Sequence, residues 1–139
     1  MRAYKILSSQ EFKRGEFRII PIRHEDRYEI MKWRNEQIYH LRQPEPLTRE
    51  IQDRYFEDVV AELFHQEQPN QVLFSFLQND ECVGYGGLVH INYIDLNAEL
   101  SFVIKTELQE QNFETFWIEY LHLIKQPAFK ELNLRKIYT

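Results

Sequence analysis

The stretch that decides the fold is residues 82–104, which reads Cys-Val-Gly-Tyr-Gly-Gly-Leu-Val-His-Ile-Asn-Tyr-Ile-Asp-Leu-Asn-Ala-Glu-Leu-Ser-Phe-Val-Ile. Apolar, β-branched and aromatic residues dominate from Cys82 to about Ile94 and again from Ala98 to Ile104. The short string Asp95-Leu96-Asn97 between these runs is typical of a turn. The pattern therefore predicts a long hairpin of two antiparallel strands.

The segments on either side of this hairpin predict a mixed fold. Residues 17–23 and 72–77 have the composition of strands. Two helices are predicted between them: the first ends at about Tyr39, and the second is amphipathic and follows Thr48, which is a suitable N-cap. After the hairpin, residues 113–124 keep the helical period, Pro127 should end or kink that helix, and residues 134–139 predict a strand. The order β-α-α-β-β-β-α-β predicts an α/β (α+β) fold with a mixed, mostly antiparallel central sheet flanked by helices.

Length and composition restrict the class of protein. The 139 residues, 43% of them apolar and 14% aromatic, predict one globular domain over residues 1–139 and exclude a disordered chain. The net charge of −5 argues against a protein that binds nucleic acid non-specifically. No run of 18 apolar residues and no signal peptide is found, so we expect no membrane partner and a cytoplasmic location. The single cysteine, Cys82, excludes an internal disulfide, and the spacing of the five histidines predicts no metal site.

Four local strings occur in a recognisable order. They are Ile20-Pro21-Ile22-Arg23 before an acidic helix start, Trp33-Arg34-Asn35, the Gly84–Leu88 and Ala98–Ile104 hairpin, and the segment from Ala128 to Ile137. In this order they resemble the GNAT superfamily, the acetyl-CoA-dependent N-acetyltransferases, over residues 17–139. The string Trp33-Arg34-Asn35 resembles the signature of the branch that acetylates ribosomal-protein N-termini and amino sugars.

The resemblance implies an activity and a cofactor. It implies transfer of an acetyl group from acetyl-CoA, without a metal, to a small-molecule or peptide primary amine by direct attack in a ternary complex. In this family the fourth and fifth strands splay apart, and cofactor amides pair with the free backbone of the fourth strand. In this chain the resemblance assigns that role to Phe102, Val103 and Ile104. The pyrophosphate is expected at the N-terminus of the following helix, where unpaired N–H groups favour anions.

The predicted phosphate loop departs from the family pattern. That pattern is Arg or Gln, two residues, Gly, one residue, then Gly or Ala, and the cofactor-binding residues that align with it are Gln109, Gln111, Asn112 and Phe113. Asn112 and Glu114 stand where glycines are expected, and three acids surround the proposed anion site. The alternative is a capping box, Thr106-Glu107-Leu108-Gln109, that simply begins the helix.

Five residues are candidates for handling the acceptor amine. Glu99 is predicted to act as the catalytic base, directly or through water, unless its side chain faces only solvent. Arg34 and Asn35 are predicted to position an anionic or hydroxylated acceptor, the alternative being a surface pair on the first helix. Tyr85 and His90 are predicted to line the acceptor pocket, although a single histidine without a partner is more often structural.

The position of Thr139 leads to a second hypothesis. The family usually continues past the fifth strand with a helix that carries the tyrosine acid and with two further strands, and Tyr138 lies on a different element from that tyrosine. We therefore also consider a truncated or degenerate domain without catalysis, serving as a binding or assembly module. Its exposed sheet edge would favour a homo-oligomer. A third option, an unrelated α+β ligand-binding module, would be favoured if the two strands after residue 96 were fully paired.

Overall fold

The computed structural model describes residues 2–139 and opens with a short hairpin. Strands β1 (Phe12–Arg14) and β2 (Phe17–Pro21) pair antiparallel and are joined through Gly15, whose φ is +60°. The sequence predicts the second of these strands and misses β1, because three residues are too few to show a period. Pro21 is the last residue of β2, which agrees with a strand that ends early.

The first helical layer contains α1 (Arg27–Glu36), α2 (Arg49–Tyr55) and α3 (Ala61–Leu63), the last two joined by a π-helical segment over Phe56–Val60. Helix α1 ends before the predicted Tyr39 because the chain tightens into a 3-10 turn over Ile38–His40. The Thr48 side chain accepts a hydrogen bond from the Ile51 N–H at 3.2 Å, so the predicted N-cap of α2 is confirmed.

The sheet has six strands in the order β1-β2-β3-β4-β5-β6. Strand β3 (Val72–Gln78) pairs antiparallel with β2 and with β4 (Glu81–Asn92), and β4 pairs antiparallel with β5 (Asn97–Ile104), which confirms the predicted hairpin. Strand β6 (Lys136–Tyr138) is parallel to β5. The predicted mixed, mostly antiparallel sheet flanked by helices is therefore confirmed.

The pairing of β5 with β6 is short. Only residues 97–99 of β5 face β6, at positions 136–138. Residues 100–104 have no strand partner on that side within the described part of the chain. This stretch of β5 becomes part of the candidate site.

The second helical layer follows β5. It consists of α4 (Thr106–Gln111) and α5 (Phe113–Lys125), and the chain continues through Pro127 as a π-helical segment over Gln126–Glu131 rather than ending there. Helix α5 buries Phe116 and Tyr120 against one face of the sheet, while α1 buries Ile30 and Trp33 on the other side. No helix within residues 2–139 combines the length and apolar character needed to cross a bilayer.

Candidate active site

A cleft of about 670 Å³ separates the α1–α3 layer from the sheet. Residues on alternating positions of β5 turn toward opposite faces, so Glu99, Ser101 and Val103 share one face while Phe102 lies on the other, with its ring stacked on Tyr120 at 4.3 Å. The titratable side chains that line the cleft are Arg34, His40, Arg42, Tyr55, Tyr85, His90 and Glu99. Four of the five residues predicted to handle an acceptor therefore lie around one space.

Arg34 of α1 and Tyr85 of β4 form a polar contact in the cleft. Arg34 Nη1 donates to Tyr85 Oη at 2.7 Å, and Arg34 Nε donates to Gln43 Oε1 at 3.0 Å. Burial raises the pKa of Tyr85, and the nearby Arg34 guanidinium only partly offsets this, so the phenol stays protonated at neutral pH. Because Tyr85 Oη accepts from Arg34, its own O–H remains available to a ligand, and no acceptor for it is found among the described residues.

Asn35 lies next to the cleft without lining it. Its side chain accepts from the Leu47 N–H at 2.7 Å and donates to the Leu47 carbonyl at 2.9 Å, and Gln43 Nε2 donates to the same Asn35 oxygen at 3.0 Å. These bonds hold the loop before α2 against α1. The structure therefore places Asn35 as a support for Gln43, which in turn orients Arg34, and does not bring it to the predicted acceptor contact.

Glu99 faces the cleft, so its side chain does not point only into bulk solvent. Its side chain is 20% exposed, and Oε2 lies 3.5 Å from Arg42 Nη1. The Arg42 side chain is 81% exposed, so solvent screens this ion pair on one side. Glu99 is the one carboxylate among the described residues that line this cleft.

His90 occupies an irregular position in β4. The pairing of β4 with β5 shifts register between Val89 and Asn92, and His90 has a φ of +50°. The side chain is exposed at the edge of the cleft and has no hydrogen-bond partner among residues 2–139. The bulge determines the position of His90. Histidine adopts the left-handed backbone conformation found here more readily than most residues do.

The free stretch of β5 is partly used by side chains from elsewhere in the fold. Gln37, 1% exposed, donates from Nε2 to the Ile104 carbonyl at 2.7 Å, and Tyr120 Oη donates to the Ser101 carbonyl at 2.8 Å. Of the three residues predicted to pair with cofactor amides, Ile104 therefore has its carbonyl occupied. Sequence reasoning missed Gln37, because nothing in its local pattern indicates a partner 67 residues away.

The predicted phosphate loop is folded as helix α4. The Gln109 N–H bonds to the Lys105 carbonyl at 3.0 Å and the Asn112 N–H bonds to the Leu108 carbonyl at 2.8 Å, so these donors are not free for an anion. The predicted capping box is also wrong. Lys105 is the N-cap, and Thr106 Oγ1 donates to Glu36 Oε1 at 2.6 Å.

Phe113 is the first residue of α5, and Asn112 supplies no side-chain cap to that helix. The N–H groups of its first turn lack partners within the helix, as they do in every α-helix. Gln111 is exposed immediately before them. The first turn of α5 therefore has several backbone N–H groups that could bind an anion. The acidic side chain of Glu114 lies in the same turn and would oppose that binding.

Comparison with known proteins decides the family. A family model described as an acetyltransferase (GNAT) domain matches residues 19–139. The chain belongs to the GNAT acetyltransferase family. A search of curated protein sequences finds no match to it.

Solved structures share this GNAT fold at low sequence identity. The spermidine N-acetyltransferase from Vibrio cholerae in complex with CoA and spermine has a TM-score of 0.69 and 20% identity, and the match covers 89% of this chain and 70% of that one. A dodecameric form of the Vibrio cholerae spermidine N-acetyltransferase has a TM-score of 0.64 and 23% identity, with 89% and 68% covered. A crystal structure described only as an acetyltransferase has a TM-score of 0.66 and 15% identity, with 93% and 63% covered. The chain thus spans 63% to 70% of the length of these three structures.

Proposed function

We propose that this GNAT domain transfers the acetyl group of acetyl-CoA to a primary amine bound in the cleft, by direct attack in a ternary complex. The observation that carries the proposal is the placement of Glu99. Its carboxylate lies in a cleft of about 670 Å³, next to residues 100–104 of β5, which have no strand partner on the β6 side among the described residues. A proton acceptor therefore lies beside the part of β5 that, by resemblance to the family, would bind the cofactor amides.

The residues present fit the acyl end of acetyl-CoA better than its phosphates. Phe102 and Val103 lie on the unpaired stretch of β5 and would offer backbone groups to the amides of the cofactor. The pyrophosphate would contact the first turn of α5 at Phe113, with Gln111 beside it and the acid Glu114 opposing it. When bound, acetyl-CoA supplies an activated acetyl group and a thiol leaving group.

Glu99 is proposed to handle the proton of the acceptor. An amine is mostly an ammonium at neutral pH and must lose a proton before its lone pair can attack a carbonyl carbon. The Glu99 carboxylate would take that proton directly or through one water. The entering ammonium would replace the exposed Arg42 guanidinium beside Glu99, so the charge of the carboxylate stays balanced.

Arg34 and Tyr85 are proposed to select the acceptor. The spare N–H groups of Arg34 and the free O–H of Tyr85 are donors, and they suit a carboxylate or hydroxyl on the acceptor. The related Vibrio cholerae enzyme is described with spermine, a polycation. In this cleft a polycation would meet one carboxylate, Glu99, and the cations Arg34 and Arg42. We therefore propose a monoamine that carries a carboxylate or hydroxyl group as the preferred acceptor.

Binding of acetyl-CoA tests the proposal directly. A ligand that binds the folded protein at 100 times its Kd stabilises it by about 2.7 kcal/mol, because the unfolded chain does not bind it. We expect the melting temperature to rise by the amount that corresponds to about 2.7 kcal/mol when acetyl-CoA is titrated to about 1 mM against a Kd near 10 µM, and not to rise with free adenine. The absence of stabilisation by acetyl-CoA would contradict the enzyme proposal for this chain.

One observation favours the second function, a non-catalytic binding or assembly module. Helix α4 occupies the residues where the family places its phosphate loop, and it consumes the Gln109 and Asn112 N–H donors. If acetyl-CoA does not stabilise the chain, this module is the better description. The unpaired stretch of β5 would then be the surface for a homo-oligomer, whose mass is measurable by light scattering.

Tyr85→Phe tests the proposed selection of acceptor. Removing the hydroxyl leaves Arg34 Nη1 without its acceptor and removes the donor proposed to meet the ligand. We expect KM for an amino acid or amino alcohol to rise about tenfold, and KM for a plain alkyl amine to change less than about twofold. Steady-state kinetics over an amine panel that includes spermidine measures this.

Tyr93→Phe is the matched control for this variant. Tyr93 lies on the turn after β4, its hydroxyl donates to the Pro69 carbonyl at 2.7 Å, and it does not line the cleft. Its loss should leave both KM values unchanged. Equal KM changes for all amines in Tyr85→Phe would show that Tyr85 does not select the acceptor.

A further inference from the structure

A second cavity, of about 680 Å³, lies outside the cleft, and four of its nine lining residues are arginines. It is formed where β2 ends and α1 begins. Its titratable lining residues are Arg2, Arg18, Arg23, His24, Glu25 and Arg27. Four guanidiniums and one carboxylate around a single space are unusual in a chain whose net charge is −5. We call this space the arginine cavity.

Most of these arginines are already held by carboxylates. Arg23 donates to both oxygens of the buried Asp26, at 2.7 and 2.9 Å, and Arg27 Nε donates to Asp53 at 2.8 Å. Arg18 is paired with Glu11 and Asp80. Arg27 also donates from Nη1 to the His24 carbonyl at 3.0 Å and from Nη2 to Tyr28 Oη at 3.3 Å, and Arg23 Nη1 lies 4.0 Å from Glu25 Oε2. Each terminal nitrogen carries two N–H groups, so these contacts fix the guanidiniums and still leave one N–H of each Arg27 terminal nitrogen for a ligand.

Arg2 differs from its neighbours because no carboxylate pairs with it. Its Nη1 is buried and has no hydrogen-bond partner within residues 2–139. Its Nη2 lies 3.4 Å from Nδ1 of His24, and its guanidinium carbon lies 5.3 Å from the centre of the Phe64 ring. A buried guanidinium nitrogen without a partner is costly, and a carboxylate or phosphate is the group that satisfies it best.

His24 lies close to two arginines of this cavity. Its pKa is lowered, first by burial and then by the positive charges of Arg27 and Arg2, while Asp53 and Glu57 act in the opposite direction. A charge bound beside Arg2 or Arg27 is therefore expected to change the environment of the His24 imidazole.

The arginine cavity and the start of α5 are formed by different elements. The cavity is lined by Arg2 and by residues between Arg18 and Arg27, and none of the described residues of α4 or α5 lines it. Pro21 at the end of β2 pairs with Phe74 of β3, Phe74 with Gly86 of β4, and Gly86 with Phe102 of β5, so two strands separate the cavity from β5. The phosphates proposed to bind at the start of α5 would therefore contact other residues.

We propose that the arginine cavity binds the phosphate group of a small phosphorylated ligand, with Arg2 as the principal contact. A phosphate monoester carries a charge of about −1.5 to −2 at pH 7 and has three acceptor oxygens. Those oxygens match the unpaired Arg2 and the unused N–H groups of Arg23 and Arg27. A carboxylate has one charge and two oxygens, and it would leave more of these donors unused.

Inorganic phosphate is the probe for this proposal. It is titrated into the intact chain at constant ionic strength, and the ring resonances of the five histidines are followed by NMR. We expect the His24 resonance to shift saturably below about 50 mM phosphate, while those of His65 and His122 stay in place. In Arg2→Gln the apparent Kd should rise at least about tenfold, because the side chain loses its charge and its fork of donors.

Lys13→Gln is the matched control, since it removes the same charge from an exposed site on β1. Its Kd should equal that of the unaltered chain. The proposal is overturned if the His24 resonance does not saturate, if Arg2→Gln binds phosphate as tightly as Lys13→Gln does, or if citrate at equal ionic strength binds more tightly than phosphate. The measurement needs no acetyl transfer, so its outcome is independent of the proposed enzyme activity.

Discussion

Replacing Glu99 with Gln is expected to lower kcat by about 10²- to 10⁴-fold at pH 7, the usual contribution of a positioned general base. The amide keeps the size of the side chain and cannot take a proton from the acceptor ammonium. The deficit should shrink as pH rises toward the pKa of the amine, near 10, because the acceptor then enters already neutral. The measurement is the pH profile of kcat with the best amine of the panel.

Two further measurements separate a base from a structural residue. Stabilisation by acetyl-CoA should be unchanged in Glu99→Gln, since the proposed cofactor contacts are backbone groups elsewhere on β5. Glu81→Gln is the matched control, because that carboxylate is 71% exposed and lies 3.7 Å from Lys105, away from the cleft. Glu99→Gln with the kcat and pH profile of Glu81→Gln would show that Glu99 is not the base.

The central hairpin could be predicted because its signals are local. The sequence indicates strands over 82–94 and 98–104, and the structure has them over Glu81–Asn92 and Asn97–Ile104. Long runs of strand-forming residues around a polar turn leave few alternatives. The same alternation along β5 placed Glu99 and Leu100 on opposite faces, and this allowed Glu99 to be selected before its surroundings were known.

Helix α4 shows where resemblance and local propensity disagree. The family pattern predicts a phosphate loop, whereas residues 106–111 read Thr-Glu-Leu-Gln-Glu-Gln and contain five good helix formers in a row, from Glu107 to Gln111. Without the two glycines of the pattern, nothing favours a loop over a helix. The backbone accordingly forms α4, and the Gln109 and Asn112 N–H donors are used internally.

Contacts between distant segments could not be predicted from the sequence. Tyr85 and Arg34 are 51 residues apart and Gln37 and Ile104 are 67 apart. Each contact depends on how α1 packs over the sheet, and this packing geometry cannot be deduced from a local sequence pattern. For the same reason the sequence suggested that Asn35 meets a ligand, whereas its side chain is used by the backbone of Leu47.

Replacing Gly86 with Ala is expected to reduce the free energy of unfolding by about 3 kcal/mol or more, at the upper end of the cost of overpacking a core. An added Cβ would lie 2.1 Å from the Ser101 carbonyl oxygen and 2.6 Å from Tyr120 Oη, which are themselves joined at 2.8 Å. Backbone on β5 cannot give way as a flexible side chain can. Moving Tyr120 would leave a buried hydroxyl without its acceptor. Urea denaturation followed by circular dichroism measures the loss.

Gly15→Ala is the control that measures the general cost of replacing a glycine, without the close contact between Gly86 and Ser101. A Cβ on Gly15 would meet no atom within 4 Å, and its φ of +60° should cost about 1–2 kcal/mol. Gly86 pairs with Phe102, so the strain in Gly86→Ala falls on the strand proposed to hold the cofactor. Stabilisation by acetyl-CoA should therefore fall in Gly86→Ala and persist in Gly15→Ala. Equal stability of the two variants would show that the close approach at Gly86 costs no more than the loss of a glycine with positive φ, and would contradict this prediction.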